Sequence, residues 1–209
     1  AMLYAKNVRK NILNKNSDLN DNSIEMKLIK TSGDIHHSKR LSEIGGKGLF
    51  SKQIEEELLL KKIDIAVHAL KDLPSIETPG LETKIFLKRN DPREVMISNG
   101  FNLITKLKPN SIIGTSSFRR TAQINFMRKD LVAKLIRGNV DTRIQKLENH
   151  EYDAIILAYA GIKILGLEKK ISQFFSFSEM LPSVGQGIIA LQTRTNDEKT
   201  KSILKKVND

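Results

Sequence analysis

The chain has 209 residues, 39% of them hydrophobic and 28% charged, which is enough apolar material for a packed core and too much for a disordered segment. Its formal net charge of +11 favours anionic partners: nucleic acid, anionic lipid, or a small molecule rich in carboxylate or phosphate. There is no cysteine, which excludes disulfides, thiolate metal sites and a cysteine nucleophile within these residues. No apolar run approaches the roughly 18 residues of a membrane helix.

Residues 2–13 carry Leu3, Val8, Ile12 and Leu13 on one side and predict an amphipathic helix. A polar loop, "NKNSDLNDN", leads to a predicted strand at 24–29. The glycine-bearing "TSGDIHHSKRLSEIGGKG" is long for a loop, and loops of that length are often functional. A helix is expected over 51–61, with Ile54, Leu58 and Leu59 on one side. The apolar run at 63–70 predicts a strand that ends in "HALKDLP". Further strands are expected at 83–87 and 94–98, separated by "KRNDPRE". Residues 111–114 form a short strand that runs through Thr115, Ser116 and Ser117 into a helix at 118–128. A strand at 134–137, a turn and helix in "GNVDTRIQKLENHE", a strongly apolar strand at 152–158 and a helix at 161–167 follow. After "LPSVGQG" come a last strand at 188–193 and a lysine-rich helix at 195–207.

This alternation of strands and helices predicts an α/β protein of two units. The first is expected to take residues 1–88 and 188–209, and the second 93–183. Hinge segments are expected at 89–92 and 184–187.

Chemistry concentrates at strand-to-helix junctions. In "IIGTSSFRRTAQ" a glycine turn and three hydroxyl residues precede a helix, whose free N–H groups favour anions. Arg119 and Arg120 lie in its first turn, where positive charge opposes the helix dipole. A ligand would explain them; capping by Ser116 or Ser117 beside two solvated arginines is the competing reading. "LIRGNVDTR" repeats the pattern with Arg137 and Arg143, and a guanidinium fork grips carboxylate or phosphate bidentately. Four arginines suit a molecule with several anionic groups. Nucleic acid fits too, but tryptophan is absent, aromatics are 5%, and no nucleic-acid module is recognisable. "GGKGLFSK" departs from a P-loop because Gly48 follows Lys47, and "GQGIIA" reads as a turn. Adjacent His36 and His37 lack companion ligands, so no metal is expected. Against these cations Asp72 stands out as a carboxylate that would stay ionised and could stabilise positive charge or pass a proton.

The runs "GGKGLF", "DIAVHALKDLP", "NDPRE", "IGTSSFRR", "LIRGNVDTR", "EYDAIILAYAGI" and "LPSVGQG" together resemble the porphobilinogen deaminase (hydroxymethylbilane synthase) family, in order and spacing, over nearly the whole chain. The resemblance implies two lobes like type II periplasmic binding proteins with a cleft between them, and a third, cysteine-bearing domain that is absent here. It implies a transferase of haem and tetrapyrrole biosynthesis, cytoplasmic and monomeric, with neither nucleic acid nor membrane as partner. Such an enzyme condenses four porphobilinogen molecules, releases ammonia, and carries the growing polypyrrole on a dipyrromethane cofactor bound by thioether to a cysteine. By the same resemblance Asp72 is the catalytic aspartate, which stabilises the cationic pyrrolenine left when ammonia departs. Lys71, Thr115, Ser116, Ser117, Arg119, Arg120, Arg137 and Arg143 would bind cofactor and substrate carboxylates. Lys47 and Phe50 would belong to a mobile substrate loop, and Arg93 would make a structural ion pair. Tyr4 stands where glutamine is common and Ala69 where serine is common. The family's opening strand and its cysteine are missing, so the chain is expected to be a truncated fragment without turnover. The alternative is a two-lobed carboxylate-binding module without catalysis.

Overall fold

The computed structural model describes residues 2–31, 48 and 51–209. They divide into two compact units, one running to Asn90 and resuming at Gly187–Asp209, the other formed by Asp91–Gln186. Both are mixed α/β, the class expected from the sequence.

The first unit contains α1 (Met2–Lys15), α2 (Lys52–Leu59), β1 (Ala66–Ala69) and β2 (Leu81–Phe86). Its sheet has the order β1-β8-β2, all antiparallel, with the returning strand β8 (Ile189–Arg194) in the middle. Successive β8 residues face opposite ways. Ile189 and Leu191 pack with Val8 and Ile12 of α1 and Leu204 of the terminal helix (Glu198–Lys205). Gln192, on the other side, meets Glu55 of α2. Arg194 closes the strand by donating to the Leu58 and Ile63 carbonyls at 3.0 and 2.6 Å and to Asp197 at 2.6 Å.

The second unit contains β3 (Glu94–Ser98), β4 (Ile112–Gly114), α3 (Phe118–Met127), β5 (Val132–Lys134) and α4 (Val140–Glu148). It continues with β6 (Ala154–Ala158), α5 (Tyr159–Ile164) and β7 (Gln173–Phe174); the terminal helix of the first unit is then α6. The sheet order is β5-β4-β6-β3-β7. Val95, Ile97, Ile155 and Leu157 fill the core on one face, and Met96, Ala154 and Ile156 fill it on the other. Burial on both faces explains the uninterrupted apolar runs "VMI" and "AIIL".

Several expected elements move. Residues 24–29 form no strand; the Ile24 carbonyl accepts from Arg9 Nε at 3.1 Å instead of from a neighbouring strand. The strand expected at 134–137 pairs earlier, with Val132, Ala133 and Lys134 opposite Ile112, Ile113 and Gly114. Ile136 is buried in the core without joining the ladder. The helix expected from residue 161 begins at Tyr159, directly after β6. β7 was not expected, being only two residues long.

Candidate functional site

In the first unit, β1 passes straight into a 3₁₀ turn, Leu70–Asp72. Leu70 N donates to the Ile188 carbonyl at 3.0 Å, and Leu73 N closes the turn onto the Leu70 carbonyl at 3.2 Å. Leu73 is extended, as the residue before Pro74 must be. The turn leaves Lys71 and Asp72 exposed at the end of an anchored strand. Behind them His68 is buried, with Nε2 3.2 Å from Gln192 Oε1. Gln192 Nε2 donates to Glu55 Oε1 at 3.0 Å, and Thr78 donates to Glu55 Oε2 at 3.0 Å. Burial holds the His68 imidazole below its ordinary range, against the pull of Gln192 and Glu55.

In the second unit the arginines share one sheet edge. β4, β5 and β6 run parallel, so their C-terminal ends lie together. β3 runs antiparallel with Glu94 opposite Ala158, which puts Glu94 at the same edge. Helices α3 and α4 start there behind their caps: Ser117 accepts from Arg120 N, and Asn139 accepts from Thr142 N. Thr115 Oγ1 accepts from Ser117 N at 3.2 Å, so two of the three hydroxyls shape the helix start itself. Gly138 has φ +109°, and a Cβ there would lie 2.7 Å from Thr142, so the turn requires glycine.

The paired arginines meet an internal carboxylate. Arg120 Nε and Nη2 donate to Glu94 Oε1 and Oε2 at 3.1 and 2.7 Å, and its Nη1 donates to the Ile156 carbonyl at 3.0 Å. Arg119 Nη2 donates to the same Glu94 Oε1 at 2.5 Å, and its Nη1 to the Leu181 carbonyl. Burial pushes the Glu94 carboxyl up, but Arg120 and Arg119 outweigh it and leave it below its ordinary value. Arg143 donates from Nε to the Gly138 carbonyl at 2.7 Å. Burial, then Arg120 and Arg137, push its guanidinium down to about 10. Arg120, Arg137 and Arg143 are thus electrostatic neighbours, with Arg137 itself buried.

Asp72 and Lys71 lie in one unit and the four arginines in the other. Lys47 and Phe50 lie outside the described residues. Arg93 makes the expected ion pair, donating to Asp91 at 2.7 Å while its guanidinium sits 4.8 Å from the Phe174 ring centre. Glu94 escaped the sequence reading. The available signal was an acid opening a strand that is otherwise apolar, since a buried carboxylate needs cations. No cluster of potential metal ligands occurs among the described residues, and none of their helices is long and apolar enough to cross a membrane.

The family model described as "Porphobilinogen deaminase, dipyromethane cofactor binding domain" matches residues 1–202. The porphobilinogen deaminase of Syntrophomonas wolfei is 47% identical over 192 residues, covering 92% of this chain and 63% of that protein. That of Geobacillus kaustophilus is 46% identical, covering 90% of this chain and 61% of that protein. The chain therefore spans less than two thirds of the length of these relatives. A Salmonella typhimurium periplasmic binding protein of high arginine specificity is 13% identical with a TM-score of 0.49, covering 98% of this chain and 80% of that one. A likeness at that distance carries no argument about ligands.

Proposed function

The chain belongs to the porphobilinogen deaminase family, and from that premise we propose that its residues hold dipyrromethane and take part in condensing porphobilinogen into hydroxymethylbilane with loss of ammonia. The observation that carries this reading is the gathering of Arg119, Arg120, Arg137 and Arg143 at one sheet edge of the second unit, with Arg120 and Arg137 buried. Cations gathered at such cost favour a polyanion, and every pyrrole unit of this chemistry brings an acetate and a propionate. The residues present therefore fit dipyrromethane: Arg119, Arg137 and Arg143 would grip its carboxylates. Arg120 contributes charge from behind, its donors being engaged with Glu94 and Ile156.

When bound, dipyrromethane supplies the pyrrole carbon at which the next unit is joined. Asp72 does the chemistry of this chain. Its exposed carboxylate accepts pyrrole N–H groups and stabilises the cation that forms as ammonia leaves porphobilinogen. Lys71 beside it binds a carboxylate as a point charge. The chain has no cysteine, so a thioether needs a thiol from outside these residues. By themselves the 209 residues are expected to show no turnover.

The test is dipyrromethane retention, read by intact mass, in a protein that includes the attachment cysteine. Arg143→Leu and Arg137→Leu should each lose most of the attached group. Full retention by both would contradict the assignment of this edge.

A further inference from the structure

Arg119 and Arg120 are adjacent and chemically identical, yet the structure gives them different work. Arg120 is buried and spends Nε, Nη1 and Nη2 on Glu94 and the Ile156 carbonyl. The Arg119 side chain remains 30% exposed, while that of Glu94 is fully enclosed. Glu94 Oε1 is shared, accepting from Arg120 Nε at 3.1 Å and from Arg119 Nη2 at 2.5 Å. Arg119 Nη1 and Gln123 Nε2 both donate to the Leu181 carbonyl, and Gln123 Oε1 accepts from Leu181 N at 2.7 Å. The Arg119 guanidinium is thereby held from two sides, by a buried carboxylate and by a backbone carbonyl.

We propose that Glu94 is a positioning residue for anion binding: Arg120 anchors its carboxylate, and that carboxylate fixes the guanidinium of Arg119, the exposed member of the pair, for a carboxylate of the ligand. The inference rests on the reading that this sheet edge takes carboxylates. Its consequence runs against simple charge counting. An internal anion beside an anion site weakens attraction through the field, so its removal should tighten binding if charge alone mattered. If Glu94 orients Arg119, its removal loosens the fork and weakens binding, because a fixed geometry is what makes a bidentate contact strong.

Two variants separate these outcomes, with citrate as the polycarboxylate probe in titration calorimetry at fixed ionic strength. Glu94→Gln removes the charge at nearly constant volume. Glu94→Asp keeps the charge but withdraws the carboxylate by one methylene. Positioning predicts that both bind citrate more weakly, by about tenfold, the loss of one good charged hydrogen bond. Charge alone predicts tighter binding by Glu94→Gln and unchanged binding by Glu94→Asp; either result overturns the proposal. A fall in melting temperature with citrate affinity unchanged overturns it as well, since that is a merely structural role. If one variant fails to fold, the other decides. A parent protein that does not bind citrate leaves no anion site for Glu94 to order and also overturns it. A parent that binds citrate but makes no bilane in a protein including the attachment cysteine refutes the enzymatic reading and leaves this one standing.

Discussion

Gln192 Oε1 lies 3.2 Å from His68 Nε2, while Gln192 Nε2 donates to Glu55 at 3.0 Å. The carboxylate at the end of this chain can only accept, so it fixes the Gln192 amide, and the amide oxygen then requires the proton on His68 Nε2. His68 is buried in the strand that ends at Asp72, and burial holds its pKa below the ordinary 6.5. Below pH 6.5 the unfolded chain takes up a proton that the folded chain resists. The histidine's contribution is therefore full above that pH and falls as pH drops toward the lowered folded value. Urea unfolding of the parent should show stability decreasing over this window, and His68→Gln should flatten the decrease.

The Glu94 ion pairs lead to a second expectation. Removing Arg120 leaves a fully enclosed carboxylate with Arg119 alone, so Arg120→Leu should cost about 3 kcal/mol in chemical denaturation. Because the Glu94 pKa is lowered on folding, its contribution is present above the ordinary carboxyl value of 4.5 and is lost as pH falls through the folded value. The difference between parent and Arg120→Leu should shrink in acid. A difference independent of pH would contradict the pairing.

Gly138 joins backbone to site. Gly138→Ala would force φ +109° on an alanine and press its Cβ against Thr142, with an expected cost of about 1–3 kcal/mol. Its carbonyl also holds Arg143 Nε, so citrate affinity should fall together with melting temperature. Parental citrate affinity in this variant would show that the turn does not set the arginine.

Much of this was legible in the sequence, for physical reasons that vary by element. β3 and β6 could be placed because sheets buried on both faces demand continuous apolar runs, and α3 because Ser117 marks its start. β5 was misplaced because Leu135 and Ile136 look as much like a strand as Val132 and Ala133 do, while the ladder to β4 is set by pairing that a one-dimensional pattern does not encode. Residues 24–29 look like a strand, yet the Ile24 carbonyl goes to Arg9, fifteen positions away in sequence. Arg119 and Arg120 were identified as unusual at a helix start, but their common partner Glu94 lies 25 and 26 residues upstream. Nothing local connects them, whereas the antiparallel register of β3 on β6 does.

The central claim is that Asp72 performs chemistry and the arginines perform binding. The most direct measurement is bilane formation by Asp72→Ala in a protein that includes the attachment cysteine, alongside dipyrromethane content by intact mass. The account predicts retained dipyrromethane with turnover lowered by at least about a hundredfold, the scale of a lost charge-stabilising group. Turnover at the parental rate with dipyrromethane in place would contradict it.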